Sequence, residues 1–177
     1  PAGAAAAAGA YEPLAEAPLG EGLDLRALRE ELLATAWTDA TLPMVLLRRD
    51  GAVDVEVQDW QQGQTRTVSY KLPVLPGGIG ARVENTYTVR SESDDVLSLE
   101  IVSVTLAPVI QNMRVHTLYT IRRGGPGGPR ATLCWEGFAS WTKQPPKMFA
   151  APIEKGIRQS QVRSGEAFVE ELGRRAA

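Results

Sequence analysis

The apolar positions of LDLRALREELLATAW recur at helical spacing, with Leu25, Leu28, Leu32 and Ala36 on one face and Asp24 placed to cap the amino end. A second, short helical turn is expected from Thr41 to Leu47, with Pro43 near its start, where proline is tolerated. From Val53 the period changes to two. Val53, Val55 and Val57 alternate with acidic residues and Gln; Val68, Tyr70 and Leu72 follow; then Val83, Asn85, Tyr87 and Val89 share a face opposite Glu84, Thr86, Thr88 and Arg90. These are half-buried antiparallel strands.

In VLSLEIVSVTLA, Leu97, Leu99 and Ile101 are in phase, and Val102, Val104 and Leu106 take the opposite phase, so a bulge is expected near Ile101. MRVHTLYTIRR and ATLCWEGFASWTK flank GGPGGP and read as a hairpin. Val115, Thr117, Tyr119 and Ile121 form one face of it, as do Leu133, Trp135, Gly137, Ala139 and Trp141. The ladder ends at Pro145 and Pro146, which cannot donate ladder hydrogen bonds.

The closing segment predicts one long helix. At about 100° per residue, Ile153, Ile157, Ser160, Ser164, Ala167 and Phe168 fall on one face, so the stripe turns small and hydroxylated in its middle. A core-facing stripe normally carries large aliphatics, each contributing roughly 1.5 to 3 kcal/mol when fully buried. Two readings stay open: the small residues leave room for a ligand, or they let the helix approach the sheet closely. The whole is an α+β fold, a curved antiparallel sheet of six or seven strands around a long carboxy-terminal helix, with short amino-terminal helices.

With 177 residues, 44% hydrophobic and 23% charged, the chain suits a single domain. Residues 1–22 read as a low-complexity linker without ordered structure, and 23–174 as the domain. A formal net charge of -2 argues against a nucleic-acid partner, because phosphate neutralisation needs a basic surface. The single cysteine, Cys134, excludes an internal disulfide and a closed cysteine zinc site; it reads as a small buried hydrophobe, and the composition suits a reducing compartment. No apolar run approaches the ~18 residues of a membrane span. The amino end, PAGAAAAAGAYEP, lacks an initiator Met and a basic, then apolar, leader, so the chain reads as a domain cut from something longer.

Nothing in the pattern supplies an enzyme's machinery. The one histidine, His116, alternates away from the Val115, Thr117, Tyr119 face and is expected to point outward. No cluster of metal ligands occurs, no metal or other cofactor is implied, and GGPGG lacks the Lys-Ser/Thr ending of a phosphate loop.

The order VEVQDW, RTVSYKLPVLPGGIGAR, TLAPVIQNMRVHTLYTIRR and CWEGFASWTKQPPKMFAAPIEKG resembles a VASt domain, the StAR-related, START-like lipid-transfer module found beside GRAM domains in sterol transporters and in plant homologues. The similarity runs from roughly Leu25 to Leu172. Its most specific pieces are Val68-Ser69-Tyr70-Lys71 entering a Pro/Gly loop and Ile153-Glu154-Lys155-Gly156 opening the last helix. The resemblance implies a helix-grip fold with a sterol-sized cavity between sheet and final helix.

Its lid would be the loop from Leu72 to Arg82, carrying Leu72, Pro73, Val74, Leu75, Pro76, Gly77, Gly78, Ile79 and Gly80. Three aliphatics in so long a connection suit a part that seals an apolar space or dips into a bilayer. Strand phase assigns Tyr70, Val83, Tyr87, Val89, Thr117, Tyr119 and Trp135, and helical spacing Ile153, Ile157, Ser160 and Ser164, to the wall of that cavity. Lys71, Arg82, Lys143, Lys147 and Lys155 are the expected contacts with a membrane surface, anionic lipid being favoured by about 1 kcal/mol per cation.

The implied partners are a sterol or related lipid and a membrane, the domain being monomeric within a larger membrane-anchored protein. It would act at the cytosolic face of membranes such as endoplasmic reticulum contact sites. Two departures bear on ligand identity: Leu106-Ala107-Pro108-Val109-Ile110 stands where the family commonly has an acidic, aromatic Asp-Val-Pro-Tyr type stretch, and Gly80-Ala81-Arg82 where Gly-Pro-Lys is frequent. The alternative is a START-like protein-interaction or lipid-sensing module without transfer activity.

Overall fold

A computed structural model describes residues 11–20, 22–62, 64–73, 80–107, 110–124, 131–143 and 145–176. Strand β1 (Glu12–Leu19) is followed by helices α1 (Leu25–Leu33) and α2 (Leu42–Arg49). Then come β2 (Val53–Val57), β3 (Thr65–Leu72), β4 (Ala81–Ser93), β5 (Val96–Leu106), β6 (Met113–Arg123), β7 (Ala131–Trp141) and α3 (Lys147–Ala176). All seven strands join one antiparallel sheet in the order β1-β7-β6-β5-β4-β3-β2. The sheet is curved and α3 lies in its concavity against β1, β7 and β6, while α1 covers β4 and β5, which is the helix-grip arrangement of START-like folds.

Three expectations need correction. Residues 12–19, assigned to the linker, form the edge strand β1 beside β7, from Glu12 opposite Gly137 to Leu19 opposite Ala131. Ala-rich, Pro-containing EPLAEAPL has no strand-like composition, so tertiary pairing rather than propensity makes it a strand. Strand β5 has no bulge at Ile101: it pairs regularly with β4 from Arg82–Leu106 to Ser91–Leu97, the shift coming only between Ser91 and Ser93. Val102, Val104 and Leu106 therefore lie on the outer face, and the inner face continues as Ser103 and Thr105. Helix α3 begins at Lys147, ahead of the expected Ile153, and runs through Pro152.

The amino-terminal helices are fixed by polar groups as much as by Leu25, Leu28, Leu32, Leu42 and Leu47. Asp24 caps α1 through the amides of Arg26 and Ala27, as expected. Thr41 makes no side-chain cap on α2; the Glu31 carboxylate, on α1, accepts from the Leu42 amide instead. Glu31 also takes both bonds from Arg175 at 2.6 Å, so one half-buried ion pair ties α1, α2 and the end of α3 together. Arg66, fully buried, lies between the rings of Trp37 (4.9 Å) and Trp60 (4.5 Å) and donates to the Thr35 carbonyl at 2.7 Å. Trp60, between β2 and β3, donates to the Ala34 carbonyl, so with Arg66 of β3 it pins the connection between α1 and α2 to the sheet.

Candidate functional site

The concave face changes character along its length. At one end Val89, Leu97, Leu99, Tyr119, Ile121, Leu133 and Trp135 are all buried against Phe168 and Leu172 of α3 and the leucines of α1. Tyr119 stacks on Phe168 with ring centroids 4.6 Å apart. Trp135 lies flat on the backbone of Gly165, where an added Cβ would sit 2.2 Å from the indole.

One register row further come Tyr87, Ile101, Thr117 and Gly137, the last two meeting Gln161. Gln161 is buried because its amide is used: Nε2 donates to the His116 carbonyl at 2.8 Å and to Thr117 Oγ1 at 2.9 Å. Gly137 makes room for it, since a Cβ there would meet Nε2 at 2.3 Å.

Beyond that row the sheet carries Val68, Asn85, Ser103, Val115 and Ala139, then Tyr70, Val83, Thr105, Met113 and Trp141. Ser103, Thr105, Val115, Ala139 and Trp141 are only half-buried, as are Ile153 and Ile157 on the helix. The wall is small and polar on β4 and β5: Asn85 Nδ2 donates to the hydroxyls of Tyr70 at 3.3 Å and Tyr87 at 3.4 Å. Burial pushes the Tyr87 phenol up to about 12 and raises Tyr70 further, so both keep their protons at any physiological pH.

Of the residues assigned to the cavity from sequence, Tyr70, Val83, Tyr87, Val89, Thr117, Tyr119 and Trp135 are buried on this face. Val89, Tyr119 and Trp135 belong to its packed end. Ile153 and Ile157 continue the stripe of Gln161 and Phe168, Ser164 is half-buried beside it, and Ser160 is exposed. The stripe is centred on Gln161 and Gly165, because a hydrogen-bonded amide and a backbone seated on an indole both bury well there. The sequence pattern places Asn85 on the face of Val83, Tyr87 and Val89 without giving it a role, and gives no sign that Gln161 is buried. At Gly165 the small residue serves close helix-on-sheet packing.

The open end is also where β3 and β4 separate. Leu72 pairs with Ala81, and Gly80 comes so near Pro73 that a Cβ would lie 3.1 Å from its carbonyl oxygen. Residues 74–79, the centre of the expected lid, lie outside the described residues. Beside this neck Leu106, paired with Arg82, and Val53, paired with Lys71, are exposed (51% and 41%), and at the start of α3 so are Met148 (75%) and Phe149 (48%). Lys71, Arg82, Lys143 and Lys155 are exposed, and Lys147 begins α3. Lys71 pairs with Asp54 at 2.8 Å and Arg82 with Glu56 at 3.5 Å, which lowers the net positive charge on that side.

A separate cleft of about 800 Å³ lies between the start of α1 and the β4–β5 turn. Arg26, Arg29, Glu30 and Arg123 line it together with Leu25, Leu33, Val96 and Leu97. On the convex face His116 does point away from the concavity, as expected, but it is buried, stacked on Phe138 at 4.2 Å with Nε2 3.1 Å from Ser140 Oγ. Burial lowers its pKa, more than the nearby Glu100 raises it. Tyr11 crosses the same face, edge-on to Phe138 and hydrogen-bonded to Glu100, which Arg90 holds from the other side at 2.8 Å. Cys134, expected to be buried, is half-buried on that face. Among the described residues no group of His, Cys, Asp and Glu could hold a metal ion.

Among solved structures, a hypothetical protein, jhp0584, from Helicobacter pylori is similar over 92% of this chain and 86% of its own, with a TM-score of 0.56 and 12% identity. A conserved protein from Geobacillus kaustophilus follows at a TM-score of 0.49 and 9% identity, covering 92% and 91% of the two chains. At that identity the Helicobacter protein shows a shared fold alone. No curated protein matches. The model of the VASt family, the VAD1 Analog of StAR-related lipid transfer domain, matches residues 30–160, most of the chain, and the protein belongs to that family.

Proposed function

We propose that this domain binds a sterol-like lipid in the open half of its concave face and transfers it between membranes. The observation that carries the reading is the change along that face. A tightly packed aromatic and aliphatic layer gives way to half-buried, small or hydroxylated positions at the end where β3 and β4 separate and Leu106 is exposed. A sterol needs apolar surface for its rings and a few polar groups for one hydroxyl, and the mixture of Val83, Val115, Ile153 and Ile157 with Asn85, Ser103 and Thr105 offers both.

Met148 and Phe149 at the start of α3 and Leu106 beside the neck would enter a bilayer, with Lys143 and Lys155 meeting anionic headgroups. The loop from Leu72 to Gly80 acts as the lid over the lipid. No helix among the described residues is long and apolar enough to cross a membrane. It works at the cytosolic face of membranes, at contact sites with the endoplasmic reticulum, as a monomeric domain of a larger anchored protein. The chemistry is physical partition without catalysis.

The test is a titration of the domain with a fluorescent sterol, competed by ergosterol, cholesterol and a plant sterol, followed by transfer between two liposome populations. Saturable, competed binding with accelerated transfer is expected. Binding without transfer would select a lipid sensor, and no binding by a folded sample an interaction module, which the close seating of Gly165 on Trp135 would then explain.

A further inference from the structure

Asn85 stands in the middle of β4 on the concave face, between Val68 on β3 and Ser103 on β5, and is 6% exposed. Its Nδ2 is held by the two tyrosine hydroxyls. Its Oδ1 is buried without any hydrogen-bond partner. Buried amide oxygens are nearly always paired, because desolvating one without a partner costs as much as a lost hydrogen bond. No neighbour supplies Oδ1 with a donor: Val68 has none, no hydrogen bond reaches it from Ser103, and the hydroxyls of Tyr70 and Tyr87 are engaged on the Nδ2 side of the amide. The other unpaired groups on this face, the indole N–H of Trp135 and Trp141 and two Arg66 nitrogens, are donors, so Oδ1 is the unpaired acceptor there among the described residues, open to a donor from a ligand.

We propose that Asn85 is the residue that reads the lipid's hydroxyl, its Oδ1 accepting the single O–H of the ligand while Tyr70 and Tyr87 hold the amide in place. The inference rests on the concave face being the lipid site and adds a selection rule to it. A lipid with a free hydroxyl is favoured over the same skeleton bearing a ketone or an ester, because only the alcohol can donate. A site built to bond a hydroxyl discriminates far more strongly than an apolar wall, since the analogue leaves the buried acceptor unpaired.

Competition binding on the full chain, with cholesterol and its 3-keto analogue displacing a fluorescent sterol, tests this directly. The unaltered protein is expected to favour the alcohol by about 10-fold or more. In Asn85→Leu that preference should fall to within about 2-fold, chiefly by weakening of the alcohol. Should Asn85→Leu fail to fold, Tyr70→Phe frees one side of the amide and should reduce the alcohol-to-ketone ratio. Equal affinity for alcohol and ketone in the unaltered protein, or a full preference surviving in a folded Asn85→Leu, would overturn the role of Asn85 and leave the lipid site standing. Failure of both compounds to compete, with the unaltered domain folded, would overturn the lipid site and this assignment together.

Discussion

The two halves of the concave face use small residues for opposite ends. In the packed half, Gly165 and Gly137 are small because a neighbour is pressed against them, an indole in one case and a buried amide in the other. In the open half, Ala139, Ser103 and Val115 are small and only half-buried. Small side chains in a helix-grip fold therefore do not by themselves mark a cavity; what faces each one decides.

Breaking the packed half should have the largest effect. Gly165→Leu forces side-chain atoms into Trp135 and is expected to cost about 3 kcal/mol or more, read as a large drop in thermal midpoint. If its midpoint equalled that of the unaltered protein, the helix would not be seated as described. Arg66→Ala removes the guanidinium between Trp37 and Trp60 together with its bond to Thr35, and should destabilise by about 3 kcal/mol in chemical denaturation.

Filling the open half should separate binding from stability. Ala139→Phe is expected to lower sterol affinity about 10-fold or more while changing stability by about 1 kcal/mol or less. Unchanged affinity in the folded variant would place the ligand elsewhere. Met148→Asp with Phe149→Asp should slow liposome transfer several-fold, by removing apolar side chains that are already exposed, and leave equilibrium binding to soluble sterol intact.

The smallest effects sharpen the contrast. Gly156, in the exposed stretch of α3, has nothing within 4 Å of an added Cβ, so Gly156→Ala should stabilise by about 0.5 to 1 kcal/mol, the opposite sign to Gly165. His116 supplies a pH test on the convex face. Its folded pKa lies below its unfolded value near 6.5, so the unfolded chain binds the proton more readily. Its contribution is full above that value and is lost as pH falls from about 6.5 towards the folded pKa. Denaturation midpoints should therefore decline across that window, and the decline should shrink in His116→Gln.

Much of this arrangement was legible before any coordinates. Period-two alternation in β3, β4, β6 and β7 gave strand faces that the structure reproduces, and the Asp24 cap and the leucines of α1 follow from local rules. Where local rules failed, a distant partner had the final say. The strand β1 exists because β7 offers an edge, and the face of β5 past Ile101 is polar because continuous pairing with β4 and β6 outweighs an apolar phase change.

By itself, then, the sequence determined the elements from α1 to α3, their order and the family, since hydrophobic periodicity and capping are written in neighbouring residues, but not the edge strand β1. The tertiary structure alone decided which helix face is buried. Gln161 and Gly165 occupy the stripe that Ser160 and Ser164 were expected to share, because a polar or absent side chain is buried only when a carbonyl, hydroxyl or indole from another strand meets it. That meeting, like the unpaired oxygen of Asn85, is a property of registers between strands far apart in the chain.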